Sequence, residues 1–441
     1  MKRIADTYAY GPGPIERCFW TRTPPDLTWP RLSGDLDADV AVIGAGFTGL
    51  TAALHLAEAG LSVAVLEAEQ PGWGASGRNG GFCCLGGARI SHDTLVRRVG
   101  EDGARDWYRT EQRAVDFVAS QLTRLKIEAD THSHGETMLA HRPRDFDRLV
   151  SDAERTASVL GVRAEVIAAS DLVKHGMAGP FHGGVTLPVG FGLNPRKYVL
   201  GLAQAASAAG VAGFGNSPVQ TMRATNGDHE LATPAGAVRA KRVIVATNGY
   251  SAETLPPWMA GRYMPVQSNV IVTRPLTDAE LEAQGWTSAQ IAYDSRNLLH
   301  YFRLMPDRRF LFGMRGGLRT TKGVQNHMEK SVRRDFETMF PAWSHVETPW
   351  FWSGFACMAR NMTPFAGEIP GQPGVFAAFA YHGNGVAMGS YAGAAIADRL
   401  LGRGEHPVSA LLDHPAGRFP GGAFRRLALW PAYGYYALKD R

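Results

Sequence analysis

The chain has 441 residues, of which 45% are hydrophobic and 20% are charged, with a formal net charge of +5 at neutral pH. These values are ordinary for a globular protein, and the length predicts two packed domains rather than one simple core. The small net charge, without an aromatic and basic reading surface, argues against nucleic-acid binding. No apolar run approaches the length of a membrane span, and no signal peptide is visible.

The cysteines and the N-terminal segment add two further expectations. The spacing of the four cysteines, Cys18, Cys83, Cys84 and Cys357, fits neither a metal site nor a disulfide framework. This spacing predicts a reducing, cytoplasmic location and no metal centre. Residues 1–37 are rich in proline and aromatic residues, and we expect them to wrap over the surface before the first strand.

The first motif is a glycine-rich turn between a strand and a helix. Gly44, Gly46 and Gly49 follow an apolar run at residues 40–43 in the spacing G-x-G-x-x-G. The first glycine permits a tight turn, the second lets a pyrophosphate approach the backbone, and the third lets the helix pack on the strand. The helix is predicted from about residue 47 to 59, ended by a glycine. We assign its first residues, Phe47 and Thr48, to the same site.

An acidic residue completes this motif. The second strand, residues 63–66, ends at Glu67, which lies 23 residues after Gly44 and is followed by Ala68. A carboxylate at this distance accepts hydrogen bonds from ribose hydroxyls and would repel a 2′-phosphate, so NADP is disfavoured. The combination predicts a bound dinucleotide rather than a glycine-rich turn without a ligand.

A second glycine-rich loop follows at residues 72–82. It presents many backbone N–H groups with little side-chain bulk, which suits close approach to a pyrophosphate and a ring. Ser76 can hydrogen-bond a phosphate, and Arg78 can supply positive charge, although a surface cation is the alternative for Arg78. A simple NAD site has no use for such a loop. The residues assigned to the cofactor here are Gly74, Ala75, Ser76, Gly77, Arg78, Asn79, Gly80 and Gly81.

The remaining elements are predicted in chain order. Helices are expected at residues 93–127, with a break near Gly100 and Gly103, at 145–160, and from Asn194 to about residue 210. Pro218 and Val219 are placed in a strand, and a hairpin turns at residues 234–236. A buried strand at 243–246 then leads to a polar turn of cofactor residues, Thr247, Asn248 and Gly249.

The C-terminal part contains a third segment of this kind. A strand at residues 375–380 runs into a glycine-rich loop and then a helix of small residues that extends to about residue 401. Dinucleotide-type segments therefore occur at 38–90, 191–255 and 346–402. The intervening segments, 91–190 and 256–345, are predicted to build a second, β-sheet-based domain. In the tail, 403–441, Pro431 and Gly434 are expected to interrupt any helix, and the tail is either packed on the protein or a membrane-surface element.

The segments at 74–81, 243–250, 301–307 and 381–386 resemble the D-amino-acid-oxidase (DAO) family of FAD-dependent oxidoreductases. The resemblance extends from about residue 39 to 402 and is strongest to the branch of gamma-glutamylputrescine-oxidising amine oxidases. It implies an α/β fold with a Rossmann-like FAD-binding domain of the GR2/DAO type and an antiparallel or mixed β-sheet substrate domain. It also implies oxidation of an amine to an imine, which hydrolyses to a carbonyl product.

The resemblance and the residues together give the remaining cofactor contacts. The loop after His382 can direct backbone amides and a helix N-terminus at negative charge developing on the flavin. Val219 would offer backbone groups to adenine, a role that rests on the resemblance alone. The further residues assigned to FAD are Gly354, Gly383, Asn384, Gly385, Val386 and Ala387.

The catalytic candidates are His382, Arg303, Tyr301 and Tyr250. His382 has either a role beside the flavin ring or a structural one. Arg303 can bind a substrate carboxylate or form a salt bridge inside the second domain. The two tyrosines can line an apolar cage around an amine, or they are core residues.

Two departures concern the cofactor linkage and the electron acceptor. Cys357 falls close to the position at which sarcosine-oxidase-type relatives carry a cysteine linked to FAD. Members of the gamma-glutamylputrescine branch generally lack the link, so we expect non-covalent FAD. The strand at residues 310–313 lacks the lysine that promotes reaction with oxygen in those relatives.

These observations favour an FAD-dependent amine oxidase in which hydride passes from the carbon beside nitrogen to flavin N5. The expected partners are a small amine and O2 or another acceptor, and the oligomeric state stays open. One alternative is a flavin-dependent amino-acid or hydroxy-acid dehydrogenase that uses a non-oxygen acceptor. The other is a nicotinamide-binding or non-catalytic dinucleotide-binding protein.

Overall fold

The computed structural model describes residues 2–225 and 227–440. Its α-helices are α1 (Phe47–Glu58), α2 (His92–Arg124), α3 (Pro143–Leu160), α4 (Pro195–Ala208), α5 (Asp278–Gln284), α6 (Lys322–Met339), α7 (Ala387–Leu401) and α8 (Leu429–Lys439). Its strands are β1 (Leu36–Ile43), β2 (Val63–Leu66), β3 (Phe82–Cys83), β4 (Glu136–Leu139), β5 (Glu165–Ile167), β6 (Gly184–Leu187), β7 (Phe191–Gly192), β8 (Ala212–Phe214), β9 (Thr221–Thr225), β10 (Asp228–Thr233), β11 (Gly236–Val245), β12 (Met264–Val272), β13 (Ile291–Asp294), β14 (His300–Leu304), β15 (Phe310–Arg315), β16 (Trp350–Met358), β17 (Phe365–Glu368) and β18 (Val375–Phe379).

The first sheet is built around a parallel core. Its order is β17-β18-β11-β1-β2-β8, and the hairpin of β9 and β10 extends from β11. The strands from β18 to β8 run parallel, whereas β17 is antiparallel. The four residues of β2 and the last four of β1 are buried, as expected for strands covered on both faces. The parallel strands end at one edge, where ligands of open α/β sheets bind.

Small residues bring α1 close to its neighbours. A Cβ atom added at Gly49 would lie 2.0 Å from the carbonyl oxygen of Gly44, so the predicted role of the third glycine is confirmed. On the other side of α1, a Cβ atom at Gly393 in α7 would lie 2.3 Å from the carbonyl oxygen of Thr48. The helix is therefore held between β1 and α7 at a distance that only glycine permits.

The second sheet is mostly antiparallel and carries an aromatic core. Its order is β16-β12-β15-β14-β13-β4-β6-β5, and only the pairing of β13 with β4 is parallel among the described residues. Aromatic rings from β14, β15 and α6 pack on one face. The predicted fold class, a Rossmann-like α/β unit with a mixed β-sheet unit, is confirmed. The buried aromatic residues are Trp286, Phe302, Phe310, Phe312, Phe336, Phe340 and Trp343.

The prediction places the whole of segment 346–402 in the dinucleotide-binding domain, whereas the structure divides this segment between the two sheets. The strand β16 pairs with β12 along its whole length and belongs to the second sheet, whereas β17, β18 and α7 belong to the first. The chain therefore leaves the second sheet only after residue 358. The apolar pattern of residues 350–358 predicts a strand but does not indicate to which of the two sheets it belongs.

Two local expectations have different outcomes. The predicted break in α2 is confirmed at Gly100, which has φ +73° inside an otherwise continuous helix. The predicted strand at Pro218 and Val219 is wrong, because β9 begins only at Thr221. Proline has no N–H to donate to a sheet, and the N–H groups of Ser217 and Gln220 bond to Glu67 and Ala232 instead.

The C-terminal tail also differs from the prediction, because α8 includes both Pro431 and Gly434. Pro431 is the third residue of the helix, where an N–H would have no helical partner. Asp440 holds the C-terminal end of α8 in place. Its carboxylate accepts hydrogen bonds from the backbone N–H of Asn297 at 2.9 Å and of Leu298 at 3.0 Å. The tail is therefore packed on the second sheet. Among the described residues, no helix combines the length and the apolar character needed to cross a membrane.

The close approach of α1 and α7 can be tested with Gly393→Val. The added side chain has no room beside the Thr48 carbonyl, so we expect the free energy of unfolding to fall by about 1–3 kcal/mol. A thermal melt should show this as a lower Tm. The matched control is Gly323→Ala in α6, where an added Cβ meets nothing within 4 Å. The control should melt at the wild-type temperature or slightly above it, and an unchanged Tm for Gly393→Val would contradict the packing argument.

Candidate active site

A cavity of about 450 Å³ lies where the carboxyl edge of the first sheet meets β12, β14 and β15 of the second. Residues from the first glycine turn, the loop at 72–82 and the loop after β18 all line it. The three segments that are far apart in sequence therefore meet at one site. This volume falls in the range of small-molecule and cofactor sites.

The first glycine turn forms one end of the cavity. Gly44 has φ +106°, and a Cβ atom there would lie 2.9 Å from the carbonyl oxygen of Ala246. A Cβ atom at Gly46 would lie 2.8 Å from Ser76 Oγ, which accepts a hydrogen bond from the Phe47 N–H at 3.0 Å. The backbone is therefore exposed to the cavity at the N-terminus of α1, where anions are stabilised.

Glu67 lies at the end of β2 beside this turn. Its carboxylate accepts from the backbone N–H of Ala45 at 2.8 Å and of Glu69 at 3.0 Å. Burial raises the pKa of Glu67, and these backbone hydrogen bonds act in the opposite direction. Glu67 also lines the cavity, and a carboxylate with two oxygens can accept further hydrogen bonds, as a ribose-binding residue requires.

The loop at residues 72–82 is held in place by close backbone contacts. A Cβ atom at Gly77 would lie 2.1 Å from the carbonyl oxygen of Gly72. Gly81 has φ +73°, and a Cβ atom there would lie 2.0 Å from the carbonyl oxygen of Leu193. These two glycines shape the loop from behind, while Gly74 and Gly80 present backbone to the cavity.

Arg78 is not the surface cation of the alternative prediction, and it has a structural role as well. The side chain is buried, so it is not a surface cation. Its guanidinium donates to the carbonyl oxygens of Trp73 at 3.0 Å, Gly74 at 3.2 Å and Ser353 at 3.4 Å, and it lies over the Trp73 ring. Arg78 therefore clamps the loop to β16. Its charge still faces the cavity that it lines.

The loop after β18 closes another side of the cavity. The Tyr381 hydroxyl bonds to Thr48 Oγ1 at 2.8 Å, which ties this loop to the start of α1. The Asn384 amide donates to Cys84 Sγ at 3.2 Å. The helix α7 begins at Ala387, so its N-terminus points toward the cavity side on which Gly383, Gly385 and Val386 lie.

His382 has a structural role in this loop. One ring nitrogen, Nε2, accepts from the Ala359 N–H at 3.1 Å, and the other, Nδ1, bonds to the Gly87 carbonyl oxygen at 2.6 Å. Burial lowers the pKa of His382 to about 4, so the ring is neutral at physiological pH. Both nitrogens are occupied by backbone groups. The side chain therefore positions the loop and has no free nitrogen for proton transfer.

Arg303 lies outside the cavity, and neither of its predicted roles holds. The guanidinium donates to His132 Nε2 at 2.9 Å and to the Leu193 carbonyl oxygen at 2.7 Å. It points to the same face of β14 as Tyr301, but two residues further along, beneath Gly81. Arg303 therefore supports the loop at residues 72–82, and no described carboxylate forms a salt bridge with it.

The two tyrosines line the cavity in different surroundings. Tyr301 packs on Phe82, and its hydroxyl bonds to Ser268 Oγ at 2.9 Å. It lies opposite Gly313 in β15, where a side chain would collide with its ring. Tyr250 packs on Trp73 and Phe355 beside the glycine-rich loop. Tyr301 therefore lies on the wall that the second sheet forms, and Tyr250 lies on the wall beside the loop at residues 72–82.

Sequence reasoning missed Arg89 and Arg315, which line the cavity, as does Arg3. Arg315 donates to the His382 carbonyl oxygen at 2.7 Å. Burial and, to a lesser degree, the charge of Arg89 lower the pKa of Arg315 to about 9. Among residues 2–225 and 227–440, no carboxylate forms a salt bridge with either arginine. The sequence did contain a signal for Arg315. It lies two residues after Gly313 and therefore on the same face of β15, the face that Tyr301 covers.

Most predicted cofactor residues line the cavity, and a few lie behind its wall. The residues behind the wall still shape it, since Gly49 and Gly249 permit close packing of the segments that form it. The predicted residues that line the cavity are Gly44, Gly46, Phe47, Thr48, Glu67, Ala68, Gly74, Ala75, Ser76, Arg78, Asn79, Gly80, Val219, Thr247, Asn248, Gly354, Gly383, Asn384, Gly385 and Val386. Those that do not are Gly49, Gly77, Gly81, Gly249 and Ala387.

Comparison with known proteins identifies the family. Residues 39–399 match the family model described as FAD dependent oxidoreductase (DAO). The chain belongs to the DAO family. A probable oxidoreductase OrdL of Haemophilus influenzae is 33% identical over 385 residues, which cover 86% of each chain. Gamma-glutamylputrescine oxidoreductase of Escherichia coli is 30% identical over 412 residues, covering 93% of this chain and 94% of that protein.

A solved structure shows the same DAO-type fold. The crystal structure of glycine oxidase from Geobacillus kaustophilus superposes with a TM-score of 0.70 at 18% identity, covering 87% of this chain and 100% of that chain. The protein is therefore an FAD-dependent oxidoreductase. The residues of the cavity fit FAD. Glycines at positions 44, 46 and 74 leave the backbone open to a pyrophosphate, and the buried carboxylate of Glu67 can bind a ribose. These residues would hold the dinucleotide, and the loop at 382–386 would lie at the flavin ring.

Proposed function

We propose that this DAO-family protein oxidises the C–N bond of a small amine, or of an amine derived from an amino acid, to an imine that hydrolyses to a carbonyl product. One observation carries the proposal. A single cavity joins the backbone of the glycine turn at residues 44–49 to a wall that contains Tyr301, Arg89 and Arg315, and neither arginine forms a salt bridge with a described carboxylate. The E. coli relative named gamma-glutamylputrescine oxidoreductase supports an amine as the substrate.

The chemistry of the wall suits this reaction. When bound, FAD supplies an acceptor for the hydride on the carbon beside nitrogen. Only the neutral amine has a lone pair to assist that transfer, and most amines are protonated in water. Arg89 and Arg315 disfavour a further positive charge in the cavity and would thereby lower the pKa of a bound ammonium group. The aromatic rings of Phe82 and Tyr301 exclude water, which strengthens the effect.

Oxygen is the proposed electron acceptor. Residues 310–313 contain no lysine, but the same strand ends at Arg315, which places a cation in the cavity. A fixed cation stabilises negative charge that develops on oxygen as it accepts electrons. A dehydrogenase that passes electrons to another acceptor is the second candidate, and the absence of a lysine favours it.

The function and the acceptor can be tested together by flavin bleaching without air. We expect at least one of putrescine, γ-glutamylputrescine, glycine and N-methylglycine to reduce the flavin, and admission of air to restore the colour and form peroxide. Bleaching by a 2-hydroxy acid alone would contradict amine oxidation. A flavin that an amine bleaches but air does not restore would instead identify a dehydrogenase.

We also propose that FAD is held without a covalent bond. Cys357 lines the cavity but is buried in β16, and burial raises the pKa of its thiol to about 12. The thiolate needed for attack on the cofactor is therefore scarce. Acid precipitation should leave all the yellow colour in the supernatant, and the same is expected of Cys357→Ser. Colour that stays with the wild-type precipitate and not with the variant would show a covalent link.

The arginines further favour a substrate that carries an acidic group as well as the amine. Arg89→Gln should then raise KM about tenfold or more for a carboxylate-bearing amine, since a hydrogen bond to a charged group contributes about 1.5–3 kcal/mol. The KM for an alkyl diamine such as putrescine should not rise. The control is Arg334→Gln, because the Arg334 side chain is 69% exposed and lies outside the cavity. Equal KM changes for both substrate types would refute carboxylate recognition by Arg89.

A further inference from the structure

Two glutamates are buried behind the cavity wall without a cationic partner among the described residues. Glu136 begins β4 and is 2% exposed, and Glu111 lies in α2 and is 7% exposed. Each ionised carboxylate buried in this way is costly unless it is neutralised or paired. Neither residue takes part in the cofactor cradle or in the roles assigned so far.

One of these glutamates is connected to the cavity by a hydrogen bond. The Tyr293 hydroxyl, on β13, donates to Glu136 Oε2 at 3.1 Å. Tyr293 itself lines the cavity, and Arg89 is close enough for its charge to act on both Tyr293 and Arg315. The parallel pairing of β13 with β4 fixes this contact, since Tyr293 lies opposite Met138, two residues after Glu136.

The same carboxyl also touches the segment that supports the flavin-ring loop. The Cys84 thiol and the backbone N–H of Leu85 lie near the Glu136 carboxyl and stabilise its charged form. Cys84 in turn accepts from the Asn384 amide at 3.2 Å. A hydrogen bond therefore connects the buried carboxyl of Glu136 to the cavity by way of Tyr293, and the contact with Cys84 connects it to the loop after β18.

We propose that Tyr293 and Glu136 remove the proton from the substrate ammonium group before its oxidation. This inference rests on the proposed amine oxidation. The ammonium N–H proton passes to Tyr293 Oη while the phenol proton passes to Glu136 Oε2. The net change is that an ammonium becomes a neutral amine and a carboxylate becomes a carboxylic acid. No electrons move in this step, and the proton returns to water when the product leaves. Tyr293 is the catalytic residue, and Glu136 is a positioning residue that acts through it.

The surroundings of Glu136 suit a proton acceptor at neutral pH. Burial raises the pKa of Glu136 to about 7, whereas an exposed glutamate titrates near 4.3. Burial and the nearby Glu136 also raise the pKa of Glu111, so the pair resists carrying two negative charges. The titratable groups that face them are Tyr293 from β13, Cys83 and Cys84 from the segment at β3, and Tyr108 from α2.

The sign of the pH dependence follows from this arrangement. Below its folded-state pKa, Glu136 already carries a proton and cannot accept another, so the rate of flavin reduction should fall on the acid side. Above that pKa the carboxylate is available, and the rate should reach a plateau. Arg89 and Arg315 act in the same direction on the substrate, since they lower the pKa of its ammonium group.

The test is the rate of anaerobic flavin reduction in the holoenzyme across pH 5–9, with the amine that bleaches the flavin fastest among putrescine, γ-glutamylputrescine, glycine and N-methylglycine. We expect an acid limb near neutral pH for the wild type. Glu136→Gln and Tyr293→Phe should lose this limb and reduce the flavin at least tenfold more slowly at neutral pH. Glu136→Asp should restore part of the rate together with the limb.

Two controls separate a proton path from a structural contact. Glu128→Gln, at an exposed position outside the cavity, should keep the wild-type profile. FAD content and Tm of each variant show whether it folds, and Tyr293→Phe remains as a test if Glu136→Gln does not. An infrared titration of the substrate-free holoenzyme should show a carboxyl signal near neutral pH that Glu136→Gln removes.

Failure of this inference differs from failure of the proposed function. Amine bleaching with an unchanged acid limb in both variants would refute the proton path and leave amine oxidation intact. Bleaching by none of the four amines would refute both. A slower rate with the acid limb retained would assign Tyr293 and Glu136 to the shape of the wall rather than to proton transfer.

Discussion

The site depends on the absence of a side chain at Gly49. The helix α1 can lie against the end of β1 only because no Cβ separates it from the Gly44 carbonyl oxygen, which would be 2.0 Å away. This approach places the N-terminus of α1 and the exposed backbone at Gly44 and Gly46 at the sheet edge. Gly393 repeats the constraint on the other side of the helix. Close packing at these two glycines therefore creates the exposed backbone at which the dinucleotide would bind.

The second constraint is the attachment of the glycine-rich loop to the second sheet. Arg78 bonds to carbonyl oxygens of its own loop and to that of Ser353 in β16, and Arg303 in β14 supports the same loop from behind. Two arginines that resemble ligand-binding residues in sequence are thus used as clamps. A buried guanidinium has five donors in fixed directions, so it can hold several carbonyl groups at once. The loop at residues 72–82 is consequently joined to β14 and β16 of the second sheet through these two arginines.

Local patterns account for what the sequence predicts correctly. The turn at Gly44–Gly49, Glu67 and the loop at 72–82 are contiguous motifs with fixed spacing, and nearly all of their residues line the cavity. Arg303 and Arg315 show where such reasoning fails, because the two lie on neighbouring strands and only the register of β14 and β15 decides which reaches the cavity. Pro431 fails for another reason. A proline interrupts a helix only beyond the first turn, and the start of α8 cannot be located from composition.

The cavity also separates its charges in space. The cations Arg89 and Arg315 line the cavity, whereas the carboxyls of Glu111 and Glu136 lie behind the wall, and Glu136 is connected to the cavity through Tyr293 and Cys84. In the proposed reaction, a carboxylate beside the substrate would pair with its ammonium group and hold it in the protonated, unreactive form. Glu67, which lines the cavity, lies instead beside the first glycine turn. The observed arrangement avoids that pairing, because the positive wall disfavours ammonium and the phenol offers its proton a route outward. In the proposed mechanism, separation of the proton acceptor from the binding surface is therefore what would let one cavity both bind an amine and deprotonate it.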